Sequence, residues 1–155
     1  MNKTKKITLS AMMIALYVVI MCFTQGFAFG QYQVRIATSL YSLGYMFPFL
    51  VIPMGVANLI SNTLMGGLGM FDMLGGAIVG IIATGLTALI RKYKLPKILL
   101  LFPVALIPSL LVPIWLSILI HTPYMLLLVS LLVGQSIASG VGYVLVTVLE
   151  KRVKY

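Results

Sequence analysis

Charge is what this sequence has least of. Its 155 residues include eleven Lys and Arg but only two acids, Asp72 and Glu150, so 8% of positions are charged against the roughly 25% of an ordinary soluble domain. That shortage excludes a soluble globule. The single cysteine, Cys22, has no partner for an internal disulfide and lies in an apolar run, so neither an oxidising compartment nor metal-thiolate chemistry is indicated. The single histidine, His121, rules out a His-x-x-x-His metal pair. There is no Walker A lysine loop, no Cys-x-x-Cys, and no Ser/His/Asp set that packed helices could assemble. The two acids are expected at opposite faces of a membrane, which excludes a general acid and base pair. An enzyme is therefore not expected, and no cofactor or metal site is indicated.

What is present is apolar sequence in long stretches, 61% of the chain. Ile7 to Val34, Ile36 to Phe71, Met73 to Ile90 and Ile98 to Leu149 contain no Asp, Glu, Lys or Arg. A membrane-spanning helix needs about 20 mostly apolar residues, so these gaps hold about six crossings and leave no room for a soluble domain. The basic residues are grouped as Lys3, Lys5 and Lys6, then Arg91, Lys92, Lys94 and Lys97, then Lys151, Arg152 and Lys154, with Arg35 alone. Such grouping marks cytoplasmic flanks rather than a surface tracking phosphates, and it argues against nucleic acid as a partner. If all three clusters lie inside, the crossings between consecutive clusters must be even in number. Six transmembrane helices satisfy this, with both termini cytoplasmic: 7–23, 36–52, 54–65, 71–90, 98–120 and 124–149. The expected breaks are Pro53, the glycines Gly66, Gly67 and Gly69, and the turn His121-Thr122-Pro123. The whole chain, 1–155, reads as one transmembrane domain. The basic and then apolar amino terminus also resembles a secretory signal, but its run is long and lacks an Ala-x-Ala cleavage pattern, so it is read as retained.

Helices in lipid approach closely through small residues. Gly76, Gly80, Thr84 and Ala88 form a four-residue ladder, as do Gly134, Ala138 and Gly142, and both are read first as internal packing. Ala11 and Ala15 in the first helix suit either internal packing or the docking of a partner subunit. Pro103, Pro108 and Pro113 should kink the fifth helix, whose Trp115 belongs either to the interfacial belt or to a ligand-stacking surface. Polar side chains within hydrocarbon are the most informative positions. They are Asn58 and Asn62, one turn apart, Gln135 near the middle of the sixth helix, and Asp72 opening the fourth. Interhelical hydrogen bonding, capping of free amides by Asp72 and snorkelling of Arg35 to lipid phosphate are their structural alternatives. The candidate substrate site, on the outer half, comprises Gln33, Arg35, Asn58, Asn62, Asp72, Trp115 and Gln135, with His121 a solvated turn residue.

Three stretches carry a resemblance: Gln33-Val34-Arg35-Ile36, Gly55-Val56-Ala57-Asn58-Leu59, and Gly67 through Gly76. From Gln33 to Gly142 the chain resembles the QueT family, small membrane proteins that serve as substrate-binding S components of energy-coupling-factor (ECF) transporters for queuosine precursors. The resemblance implies a bacterial plasma-membrane protein that binds a deazaguanine-type base. It also implies docking through an Ala-x-x-x-Ala motif, here Ala11 and Ala15, on a transmembrane coupling subunit driven by two cytoplasmic ATPases. Where the family pattern has Ser-Glu after Gln-x-Arg-Ile, this chain has Ala37 and Thr38, and where it has Gly-Glu in the last helix, Gly134 and Gln135 stand. Loss of both carboxylates favours a neutral base over a cationic one. An S component for biotin or riboflavin, and a scaffold subunit without ligand, are the alternatives.

Overall fold

The computed structural model describes residues 1–28, 34–65 and 68–153. Among them every regular element is helical: α1 (Lys3–Phe23), a single turn α2 (Gln25–Ala28), a 3-10 helix (Ile36–Tyr45), a 3-10 turn (Pro48–Leu50) leading into α3 (Val51–Leu64), α4 (Met70–Lys92), a second 3-10 turn (Lys97–Leu100), α5 (Leu101–Leu119) and α6 (Tyr124–Arg152). Four stretches, α1, α4, Lys97–Leu119 and α6, are long and apolar enough to cross a membrane, which makes the chain a multi-pass membrane protein.

Neighbouring helices follow one another as α1, α3, α4, α5 and α6, and the 3-10 helix touches all five, chiefly α6 and α4. It is the buried centre of the bundle, with every residue from Ala37 to Gly44 enclosed. The expectation of an α-helix over 36–52 is corrected here. Two local hydroxyls and one from α4 hold the tighter winding. Ser42 Oγ donates to the Ser39 carbonyl at 2.6 Å, Thr38 Oγ1 to that of Arg35 at 2.6 Å, and Thr87 Oγ1 of α4 to that of Tyr41 at 2.8 Å. A Cβ at Gly44 would stand 2.5 Å from Thr87 Oγ1, so only glycine allows this approach to α4. The tighter helix rises about 2 Å per residue, so its ten residues reach about as far as thirteen in an α-helix.

The break expected at Pro53 falls instead at Met46 and Phe47, ahead of Pro48. Pro53 is the third residue of α3, where the missing amide costs no intrahelical bond. At 14 residues α3 is short, as expected. Of the glycine break, Gly66 and Gly67 lie outside the described residues; Gly69 has φ +95°, a left-handed conformation that suits glycine, and α4 starts directly after it. Both glycine ladders lie on buried faces. Gly76 and Gly80 meet α3, and Gly142 meets Ser39 and Ser42 of the 3-10 helix. Only Tyr17 and Met21 of α1 are fully buried, whereas Ala11 and Ala15 are exposed.

Candidate functional site

The 3-10 helix, α3, α4, α5 and α6 each send a polar side chain toward a common place. Arg35 and Thr38 come from the 3-10 helix and its N-terminal flank, Asn58 and Asn62 from the α3 face that meets α4, Asp72 from the first turn of α4, Trp115 from α5 and Gln135 from the middle of α6. Arg35 is 6% exposed and Asp72 4%, so both charges are withdrawn from lipid and water alike. One structural alternative is thereby corrected. Arg35 turns inward and does not snorkel. Asp72 stands in the first turn of α4, and its carboxylate also accepts from the Trp115 indole of α5.

The hydrogen bonds run in sequence. Arg35 Nε donates to the Ala28 carbonyl at 3.4 Å and Nη1 to Asn62 Oδ1 at 3.5 Å. Asn62 Nδ2 donates to the Asp72 carbonyl at 3.1 Å, and Asp72 Oδ1 accepts from Trp115 Nε1 at 3.1 Å. Thr38 Oγ1 lies 2.7 Å from Gln135 Oε1, joining the centre of the bundle to α6. Asn58 Nδ2 donates to Tyr41 Oη at 2.6 Å and to Tyr17 Oη at 3.2 Å. The two phenols are 3.0 Å apart through their oxygens, and their rings stack at 5.8 Å.

Arg35, Thr38, Tyr41, Asn58, Asp72 and Gln135 surround a cavity of about 10 Å³, closed on its apolar side by Val79, Val112 and Leu131. That is room for about one water. Two larger grooves, of about 410 and 400 Å³, are apolar and face outward, one at Tyr93 and Phe102 and the other at Phe71 and Leu111. Neither offers the donors and acceptors that a polar ligand requires.

Of the residues expected at the site, Arg35, Asn58, Asp72 and Gln135 line the cavity. Asn62 stands behind it as a link, and Trp115 lies on Gly75 at the edge of the outer groove, its N–H committed to Asp72. Gln33 lies outside the described residues. Ala11 and Ala15 are remote from the cavity on the exposed side of α1, and His121 is an exposed turn residue with φ +53°. The sequence reading of the site missed Tyr17, Tyr41 and Thr38. A phenol in mid-crossing must find a partner for its hydroxyl, and that signal was available at Tyr17. Among the described residues no three His, Cys, Asp or Glu side chains converge to hold a metal.

A helical bundle with membrane-spanning stretches around a buried polar cavity has the architecture of a membrane binding or transport component. The chain belongs to the QueT transporter family, whose family model matches residues 7–151. Comparison with curated proteins and with solved structures gives no significant match.

Proposed function

We propose that this protein is the substrate-binding S component of an ECF transporter in a bacterial plasma membrane and takes up a deazaguanine-type queuosine precursor. The observation that carries this reading is the convergence of a guanidinium, a carboxylate, two carboxamides and hydroxyls on one buried cavity in a chain of the QueT transporter family. A flat base with alternating donors and acceptors needs such groups, because each polar atom buried unpaired costs about 1–3 kcal/mol. The neutral pair Thr38 and Gln135, bonded to each other, stands where carboxylates were expected, and this favours a neutral base. Tyr41 supplies the aromatic wall.

Small-molecule pockets enclose about 300–1,000 Å³, so the roughly 10 Å³ cavity must widen as the base enters. The proposed topology has six crossings, with Ile36–Tyr45 and α3 forming the second and third, and both termini cytoplasmic. A transmembrane coupling subunit would dock on α1 at Ala11 and Ala15, and two cytoplasmic ATPases would supply the energy. Mass spectrometry of small molecules retained by the protein purified from rich medium tests the function. A deazaguanine is expected; biotin, riboflavin or another vitamin would overturn the substrate, and a ligand-free protein that binds no added base would favour the scaffold reading. A reporter fused after Lys154 should be cytoplasmic and one inserted near Gly30 external. An external carboxyl terminus overturns the topology.

A further inference from the structure

Asn58 Nδ2 lies against the stacked pair, 2.6 Å from Tyr41 Oη and 3.2 Å from Tyr17 Oη. Oδ1 therefore faces the other way, toward α4 at Gly76. There it meets no hydrogen-bond donor among the described residues, although Asn58 is only 2% exposed. A buried carbonyl oxygen without a donor has lost its hydration uncompensated, and native structures keep few such groups. Glycine at 76 keeps the place open, since a Cβ there would overlap Asn58 Oδ1 and lie 2.7 Å from Asn62 Nδ2. Asn58 and Gly76 both line the polar cavity.

We infer that Asn58 Oδ1 accepts a hydrogen bond from the exocyclic amino group of the bound base, and that Tyr17 and Tyr41 are positioning residues that fix which end of the amide meets the ligand. The inference rests on the deazaguanine reading and adds a specificity determinant to it. An exocyclic amine projects beyond the ring and so reaches an oxygen lying against a helix backbone. A base with a carbonyl at that place would oppose lone pair to lone pair, and one with hydrogen there would leave Oδ1 unpaired. With Nδ2 held by the two phenol oxygens, Oδ1 is left on the Gly76 side.

The test is calorimetry on the detergent-purified full chain with two probes, 7-deazaguanine and 7-deazahypoxanthine, the second lacking the 2-amino group. The wild type should prefer 7-deazaguanine by about tenfold, the equivalent of about 1.4 kcal/mol. Asn58→Leu should abolish the preference. Tyr17→Phe, which keeps the ring stack and removes one acceptor of Nδ2, should reduce it while leaving the affinity for 7-deazahypoxanthine within about twofold. A merely structural role would lower both affinities together. Because the readout is a ratio, Tyr17→Phe decides the matter even if Asn58→Leu fails to fold. An undiminished preference in the variants, or equal binding of the two bases by the wild type, overturns this inference alone. Binding of neither base by the wild type overturns the deazaguanine reading, and the inference falls with it.

Discussion

The two ends of α4 handle charge in opposite ways. At the first end Asp72 and the neighbouring Arg35 are 4% and 6% exposed; an indole N–H donates to the carboxylate, and the guanidinium reaches an amide oxygen and a backbone carbonyl. At the other end, about 28 Å along the helix axis, Glu150 pairs with Lys97 and with Arg91 at 3.8 Å, and the three side chains remain 27–36% exposed. Arg91 also lies over the Tyr45 ring at 5.3 Å. The exposed pairs bind the ends of α4, α5 and α6 together at little desolvation cost, and each is worth about 0–1 kcal/mol. The buried charges are costly to enclose, and packing alone would be served better by Leu. Polar groups retained at that cost in a membrane make this end the candidate functional one.

The comparison is broken most forcefully by filling the space between α3 and α4 at the buried end. Gly76→Leu would drive a side chain into Asn58 and Asn62, with a stability loss of about 3 kcal/mol and no measurable binding of 7-deazaguanine. Thermal unfolding in detergent together with calorimetry checks both; retention of full affinity would show that the α3–α4 contact is not a wall of the site. Asp72→Leu comes next. It leaves Trp115 Nε1 without its acceptor and should cost about 2–3 kcal/mol, the range for a hydrogen bond to a charged group, along with most of the affinity.

Glu150→Gln should move stability by less than about 1 kcal/mol, and that difference should fade as salt is raised because exposed charges are screened. Binding should stay unchanged. A loss equal to that of Asp72→Leu would erase the distinction between the two ends. Substitution of Lys97 is a less clean probe, since its side chain is only 27% exposed and its loss would add an apolar term.

Much of this contrast was legible in the sequence. Charge-free stretches located α4, α5 and α6 to within a few residues, because a membrane imposes apolarity on whole helices. The isolated polar residues within those stretches pointed to the cavity, since hydrocarbon leaves them few alternatives. Local chemistry could not tell the 3-10 helix from an α-helix. Its winding depends on the hydroxyl of Thr87 and on the approach of Gly44 to α4, contacts made more than 40 residues away in sequence. Pro53 did not mark the break, because a proline is well tolerated in the first turn of a helix. That Trp115 would serve Asp72 rather than a lipid interface, and that Tyr17 would reach Asn58 across 41 residues, are facts of packing with no counterpart in spacing.

The smallest effect on the isolated protein is expected on α1, where Ala11→Trp combined with Ala15→Trp sharpens the contrast from another side. Ala11 and Ala15 are exposed and sit on a different face of the helix from Tyr17 and Met21, its fully buried residues. Two indoles there meet no neighbour within the chain, so stability should stay within about 0.5 kcal/mol, as for surface substitutions away from special features. Affinity for 7-deazaguanine should be unchanged for the same reason. Uptake and co-purification of the coupling subunit should be lost, because a bulky side chain prevents the close backbone approach that helix docking in lipid requires. The same helix carries Tyr17 to Asn58, which makes the double variant informative in both directions. A tenfold loss of affinity in the isolated protein would mean that the outer face of α1 and the cavity are mechanically one unit. An unchanged affinity together with lost co-purification separates docking from recognition and places the boundary between them within the width of a single helix.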